Sequence, residues 1–234
     1  MLLPLTDGGR LFGSLHCGAS DLSLFQSPAE EGLAAHLAAV ISRCLLSRIA
    51  DARLAALNVL DPLTQAMNQR GFEVALDREI SRAQRELRPL SLVLMAIDEL
   101  PDLQQHYGSR AADFALKRVT QRITADMRAT DQLALLDDQT IALLVPGSGE
   151  VRTREIAERQ RGNVGGMSID DGRGAVLQVT LSSGLATWEP EHYPAVDMPQ
   201  LAVQLRAAAD KALNRSRSEM GDKVSVARLA TLLV

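Results

Sequence analysis

The sequence predicts an α/β (α+β) fold in which one sheet is covered by helices and is preceded by a long helix. Strand and helix patterns alternate along most of the chain with a single hairpin in the middle, which favours one sheet. Residues 29–60 contain no proline and one glycine and are rich in alanine, leucine and arginine, which favour a helix. A length of 234 residues with 46% hydrophobic content supports one domain core and a smaller appendage.

The first 28 residues are predicted to form two short strands around a Gly8–Gly9 turn, and they are too few to make a domain. The predicted helix at 29–60 follows. Its apolar residues keep the three- and four-residue spacing of a dimer seam through Leu33, Leu37, Val40 and Cys44. Polar residues at 47 and 51 then interrupt the seam. The helix therefore either pairs with a second copy in a parallel homodimer or packs on its own domain.

The Asp61–Pro62 dipeptide ends this helix, because proline lacks an amide hydrogen and disfavours helical geometry in the residue before it. A second region, 61–234, begins there. Its predicted elements are a helix at 69–86, strand Leu90–Ile97, a helix at 110–126, strands Gln132–Leu136 and Thr140–Val145, a helix at 151–161, a loop rich in glycine and aspartate, strand Val176–Leu185, a helix at 199–216 and strand Val224–Leu229.

Composition excludes several classes of function. The formal charge of -4 provides no overall field that would attract nucleic acid or an anionic membrane. Cys17, Cys44 and the four histidines lack paired spacing, so we expect no disulfide framework and no zinc cluster, and both cysteines are expected to be small apolar fillers. Apolar stretches such as Leu90–Ile97 are too short to cross a bilayer, and the first residues lack the features of a signal peptide. A cytoplasmic protein without membrane insertion is expected.

Several segments of the second region resemble the GGDEF family of diguanylate cyclases, in order and at matching separations. They are the opening signature at 61–72, the strand at 92–98, Tyr107–Gly108, Asp113, and the segments at 142–146, 157–159, 179–186 and 209–213. The resemblance implies a central, mostly antiparallel sheet of about five strands, related to nucleotide cyclases and polymerase palms. Residues 1–28 resemble the last strands of a GAF-like sensor domain. The predicted organisation is a GAF-like remnant (1–28), a connecting helix (29–60) and a degenerate GGDEF domain (61–234).

The resemblance also indicates that catalysis has been lost. A diguanylate cyclase joins two GTP molecules and needs a divalent metal held by carboxylates. The two family carboxylates correspond to Ala96 and Gln139, since the hairpin reads Asp137–Asp138–Gln139–Thr140–Ile141 where the family has Gly-Gly-Asp/Glu-Glu-Phe. Asp98, expected on the same strand face as Ala96, would be displaced by about 6–7 Å. We therefore predict no catalytic residue, no metal site and no cofactor.

Residues that support GTP binding in the family are also altered. The resemblance aligns Pro101 with a phosphate lysine, Gln104 with a guanine-reading asparagine, and Arg217 with a second phosphate lysine. Asp222 replaces an arginine, whereas Asp113 keeps the carboxylate that reads the guanine edge. GTP binding without turnover stays open.

A second family site is retained. In many cyclases an Arg-x-x-Asp motif five residues before the hairpin, with an arginine from the next helix, binds the product; here these are Arg128, Asp131 and Arg159. Arginine forks suit phosphate and guanine, and a carboxylate suits the guanine edge. The alternative is a solvated ion pair of little energetic value. Arg128 and Asp131 are expected at an exposed helix end.

Three functions remain open. The first is a cyclic di-GMP receptor acting as a homodimer. The second is a diguanylate cyclase with an aberrant active site, and the third is a nucleotide-free scaffold for dimerisation. No motif identifies a downstream protein partner.

Overall fold

The computed structural model of the protein describes residues 2–16, 18, 28–170, 176–192 and 197–229. They divide into two compact units, Met1–Asn58 and Val59–Val234. The first unit contains β1 (Leu2–Asp7), β2 (Arg10–His16) and α1 (Pro28–Leu57). Residues 17 and 19–27 of the predicted N-terminal segment lie outside the described residues.

The two predicted N-terminal strands are confirmed as an antiparallel hairpin. Its turn uses Gly8 and Gly9, both with positive φ, a conformation that glycine adopts without steric cost. Leu3 and Leu5 of β1 form a small buried cluster with Ala34 and Ala38 of α1. The predicted seam lies on a different part of α1: Leu33, Leu37, Val40 and Cys44 are all exposed. Cys44 is therefore not the buried apolar filler that was predicted, and Cys17 lies outside the described residues.

Part of α1 has the length and apolar composition of a membrane span. This stretch is Gly32–Ile49, with 17% of it buried. It is longer than the Leu90–Ile97 strand on which the expectation of no membrane span was based. Soluble helices and signal sequences also reach this level of hydropathy, so the stretch does not by itself place the chain in a membrane.

The second unit contains most of the chain. Its elements are α2 (Gln69–Glu86), β3 (Leu90–Ile97), α3 (Leu100–Tyr107), α4 (Ser109–Ala125), β4 (Gln132–Leu135), β5 (Thr140–Pro146), α5 (Glu150–Gly165), β6 (Ile169–Asp170), β7 (Val176–Leu177), β8 (Leu181–Trp188), α6 (Met198–Ser218) and β9 (Val224–Arg228). The main sheet has the strand order β4-β5-β3-β8-β9, in which only β8 and β9 run parallel. The predicted fold class is confirmed.

The central strand β3 is buried along its whole length, because helices cover both faces of the sheet. On one face Val93 and Met95 pack in a cluster with residues of α3, α4 and α5. On the other face Leu92, Leu94 and Ala96 pack in a cluster with residues of α2 and α6. Fully burying one such aliphatic side chain contributes about 1.5–3 kcal/mol, and seven of the eight residues of β3 are apolar and buried, so this strand is the centre of the core.

Polar residues fix the entry into the second unit. The Asp61 Oδ1 atom accepts hydrogen bonds from the backbone nitrogen and the hydroxyl of Thr64, at 2.7 and 2.6 Å. Asn68 caps α2 by accepting from the Gly71 nitrogen at 2.9 Å. A Cβ atom at Gly71 would lie 2.5 Å from the Val59 carbonyl oxygen, so the position requires glycine. The opening signature at 61–72 therefore forms the turn that leads into α2.

Two predicted elements are corrected, and one helix was missed. The predicted strand Val176–Leu185 has the wrong bounds, because β7 ends at Leu177 and β8 begins at Leu181. Helix α5 extends to Gly165 rather than ending at 161. Helix α3 was not predicted; Pro101 lies in its first turn, where a missing amide hydrogen costs nothing.

Candidate functional site

The segment from Arg128 to Asp131 joins α4 to β4 in a tight turn. The Asp131 Oδ2 atom accepts a hydrogen bond from the Arg128 backbone nitrogen at 3.0 Å, and the Asp131 nitrogen donates to the Arg128 carbonyl at 3.0 Å. Asp131 is 9% exposed, so the expectation of an exposed helix end is wrong for this residue. Its carboxylate is drawn inward because it stabilises the turn. The Oδ1 atom has only a 3.5 Å contact with the Thr130 hydroxyl, which leaves acceptor capacity for a ligand.

Arg159 reaches the same corner of the molecule from α5. Its Nη2 atom donates to the Asp126 carbonyl oxygen at 3.4 Å, at the C-terminal end of α4. The Asp126 carboxylate forms an ion pair with Arg122, with 3.0 Å between Oδ1 and Nη1. Its Oδ2 atom accepts a hydrogen bond from the Asn163 Nδ2 atom at 2.5 Å. Arg159 therefore contacts the chain two residues before Arg128.

The arrangement suits an anion with hydrogen-bond donors of its own. Arg128 and Arg159 are exposed, and within the described part of the chain the Arg128 guanidinium has no side-chain partner. Guanidinium forks bind phosphate oxygens through paired hydrogen bonds. The free acceptor capacity of Asp131 lies next to them and would receive N–H donors.

The β4–β5 hairpin is closed by an aspartate. The Asp137 Oδ1 atom accepts from the backbone nitrogens of Gln139 and Thr140, at 2.9 and 2.8 Å. None of the hairpin residues has a positive φ, so the turn does not need glycine. Ile141 is fully buried in the core. Asp138 is exposed at the tip of the hairpin and makes no side-chain hydrogen bond or ion pair with other described residues.

The neighbouring end of β3 carries an alanine where the family has a carboxylate. Ala96 is 1% exposed and its Cα pairs with those of Thr140 and Ser182. Because β3 ends at Ile97, the expectation that Asp98 continues the strand on the face of Ala96 is wrong.

Asp98 instead holds a loop. Its Oδ2 atom accepts from the Thr180 hydroxyl at 2.8 Å and from the Asp222 backbone nitrogen at 2.9 Å. The backbone passes so close that a Cβ atom at Gly221, where φ is +73°, would lie 2.9 Å from the Asp98 Cγ atom.

Sequence reasoning missed the partners of this loop. Arg161 on α5 forms ion pairs with Asp222 at 2.8 Å and with Glu158 at 2.9 Å. The hydrogen bonds that the Arg161 guanidinium donates to Asp222 and to Glu158 raise its pKa further above the ordinary value. The only local signal was Gly221, which follows the end of a predicted helix.

An open pocket of about 430 Å³ lies next to the hairpin, between α3 and α4. Gln104 and Asp113, the two positions that the family resemblance connects with guanine, both line it, as does Asp138. The structure thus places these residues at one pocket, separate from Arg128, Asp131 and Arg159.

Comparison with curated proteins identifies relatives of this fold. The family described as "Diguanylate cyclase, GGDEF domain" matches residues 58–223. Diguanylate cyclase DgcP of Pseudomonas aeruginosa is 25% identical over 181 residues, which are 77% of this chain and 25% of DgcP. Diguanylate cyclase DosC of Escherichia coli is 26% identical over 127 residues, which are 54% of this chain and 28% of DosC. The chain therefore spans about a quarter of the length of these relatives.

Solved structures show the same fold. The GGDEF domain of TpbB (YfiN) from Pseudomonas aeruginosa has a TM-score of 0.65 and 23% identity, and the match covers 73% of this chain and 95% of that one. The GGDEF domain of DgcB from Caulobacter crescentus, solved in complex with c-di-GMP, has a TM-score of 0.64 and 20% identity. This match covers 72% of the present chain and 95% of the DgcB chain. With the family matching more than half of its residues, the chain belongs to the GGDEF domain family of diguanylate cyclases.

Proposed function

We propose that this protein is a cyclic di-GMP receptor that has lost diguanylate cyclase activity. The observation that carries the proposal is the grouping of Arg128, Asp131 and Arg159 from two elements at one corner of the domain. Two forked cations beside a carboxylate with a free acceptor match the phosphates and the guanine edge of this ligand. The complex of the DgcB GGDEF domain with c-di-GMP supports the choice of ligand.

The divalent metal that the family's reaction needs does not fit the residues present. Ala96 offers a methyl group and Gln139 a neutral amide, whereas Mg²⁺ prefers carboxylate oxygens. One oxygen of Asp98 already accepts from two donors, and so does one oxygen of Asp137. Among the described residues, no group of three or more His, Cys, Asp or Glu side chains could hold a metal ion. These substitutions support the proposal that the active site is degenerate.

The rest of the chain is proposed to transmit the signal. Residues 1–28 are a GAF-like remnant, 29–60 a connecting helix and 61–234 the degenerate GGDEF domain. The exposed seam of α1 supports a parallel homodimer through this helix. A cytoplasmic position without membrane insertion is part of the same proposal, and the contact of Ala34 and Ala38 with β1 supports a helix that packs on protein at this face.

Calorimetry with cyclic di-GMP tests the receptor role. Arg128→Ala and Asp131→Asn should each weaken binding about ten- to a hundredfold, equivalent to about 1–3 kcal/mol. Asparagine is chosen because its amide oxygen still accepts from the Arg128 nitrogen, while its NH₂ group opposes the N–H donors of guanine. The turn therefore stays folded while recognition is lost.

Arg161→Ala is the matched control for Arg159→Ala. Both arginines lie on α5, but Arg161 pairs with Glu158 and Asp222, away from the turn. Arg159→Ala should lower the affinity and Arg161→Ala should not. Absence of binding by the wild-type protein at hundreds of micromolar ligand would exclude the receptor.

A turnover assay with GTP and magnesium or manganese separates the alternatives. We expect no product above a no-enzyme control. Product formation would favour the cyclase with an aberrant site. Neither turnover nor cyclic di-GMP binding would favour the nucleotide-free scaffold.

A further inference from the structure

The C-terminal end of α4 is tied to α5 through one carboxylate. Asp126 follows the last residue of α4, and its side chain is 23% exposed. The Oδ1 atom pairs with Arg122, one turn earlier on α4, at 3.0 Å. The Oδ2 atom accepts from the Asn163 Nδ2 atom on α5 at 2.5 Å. Both oxygens of this carboxylate therefore have a partner, one on each helix.

Asn163 and Arg159 share one face of α5. They are four residues apart, and side chains at this spacing lie one above the other on a helix. Both reach the same residue, since Arg159 donates to the Asp126 carbonyl oxygen at 3.4 Å. The contact of Asn163 is much the shorter and fixes the helix, whereas the contact of Arg159 is long enough for a phosphate to replace it.

A ligand that is held from two elements needs those elements in a fixed relation. Arg128 lies two residues after Asp126, so the position of Asp126 also constrains that of Arg128. Apolar packing of α4 and α5 in the core is non-directional, whereas a hydrogen bond sets which residues face each other. The bond between Asp126 and Asn163 therefore sets the place of Arg159 relative to Arg128.

We infer that Asp126 and Asn163 are positioning residues of the proposed cyclic di-GMP site and act on the ligand through Arg159. The inference rests on the receptor function proposed above, and it adds two residues that neither carry a positive charge nor contact the ligand themselves. Their bond holds Arg159 in place before the ligand arrives, so that binding has to order fewer side chains.

Calorimetry of the full chain with cyclic di-GMP tests this inference. Asn163→Ala should weaken binding about three- to tenfold, the loss expected when the ligand must order a side chain that was pre-organised. Asp126→Ala should have the same effect. Asp126→Asn should bind like the wild type, because its amide oxygen still accepts from Asn163.

Asn214→Ala is the matched control. The Asn214 Nδ2 atom donates to the Asp210 Oδ2 atom at 3.0 Å, so the same pair of groups is removed on the exposed face of α6. This variant should bind cyclic di-GMP like the wild type.

A double-mutant cycle separates positioning from a general loss of stability. Asn163→Ala should have almost no further effect in an Arg159→Ala background, because its contribution passes through that side chain. In an Arg128→Ala background it should weaken binding by the same factor as in the wild type. A loss of stability alone, measured by urea unfolding, would not distinguish the two backgrounds.

Two results would overturn the inference while leaving the receptor function intact. They are wild-type affinity in Asn163→Ala when Arg159→Ala is weakened, and an equal loss in the Arg159→Ala and Arg128→Ala backgrounds. If Asn163→Ala does not fold, equal affinities of Asp126→Ala and Asp126→Asn would overturn it instead. Absence of cyclic di-GMP binding by the wild type would overturn the receptor function, and this inference with it.

Discussion

Replacing Asp98 by alanine should lower the free energy of unfolding of the second unit by about 1–2 kcal/mol. The Asp98 carboxylate accepts from the Thr180 hydroxyl at 2.8 Å and from the Asp222 nitrogen at 2.9 Å. The Thr180 hydroxyl also lies 2.8 Å from the Glu99 Oε1 atom, so it keeps an acceptor in the variant. Only the Asp222 amide loses its partner. A hydrogen bond to a charged group contributes about 1.5–3 kcal/mol, and partial exposure of Asp98 reduces this to about 1–2 kcal/mol.

Urea unfolding followed by fluorescence measures this loss. Trp188 is the only tryptophan of the chain and is 2% exposed, so its emission reports on the second unit. The expected change corresponds to a fall in Tm of about 2–8 °C. Asp98→Asn should lose less, because its amide oxygen still accepts from the Asp222 nitrogen. Asp102→Asn, at an exposed position, should stay within about 0.5 kcal/mol of the wild type.

An unchanged urea midpoint in Asp98→Ala would refute the role of Asp98 as an anchor. It would mean that the Arg161–Asp222 ion pair and the hydrogen bond from the Gly221 nitrogen to the Ser216 carbonyl are enough to hold the loop from Met220 to Asp222. The carboxylate would then be available to a cation, and the argument that Asp98 cannot replace the missing metal ligand would lose its physical basis.

Two further predictions concern packing and assembly. Gly184→Ala should destabilise the protein by more than about 3 kcal/mol or prevent folding, because the added Cβ would lie 2.1 and 2.2 Å from two backbone atoms of α6. Gly162→Ala, at an open helical position, should instead stabilise by about 0.5–1 kcal/mol in the same urea assay. Replacing Leu37 and Val40 by lysine should convert a homodimer into a monomer by light scattering, since both lie on the exposed seam. A wild-type monomer at high micromolar concentration would contradict the dimer.

The fold was predictable where the sequence pattern is local and strong. The run Leu90–Ile97 is apolar at nearly every position, and its predicted bounds agree with β3. Helix α3 has eight residues and begins with Leu100–Pro101, so it presents too few turns to show a helical period. The strand predicted over 176–185 was misplaced because β-branched and apolar residues continue through the break between β7 and β8.

The candidate site, like the fold, was predictable from the sequence only in part. The spacing of Arg128 and Asp131 is local and could be read directly, whereas Arg159 was identified by family resemblance. The burial of Asp131 follows from its bond to a backbone amide, which no residue pattern specifies. The Asp98–Asp222 contact joins residues separated by 124 positions, so only the folded chain reveals it.

Arg159 and Arg161, two of the four arginines of α5, show why composition alone does not locate a binding site. Arg161 is paired with two carboxylates, at 2.8 and 2.9 Å, and its charge is therefore neutralised within the protein. Arg159 has only a 3.4 Å contact with a carbonyl oxygen, which does not cancel a positive charge. A phosphate gains most from the guanidinium whose charge is uncompensated, because no existing ion pair has to be broken to bind it. Residue type and helix are the same for both positions, and the internal partner of each side chain leaves the charge of Arg159, unlike that of Arg161, uncompensated, which supports the proposal that Arg159 contacts the ligand.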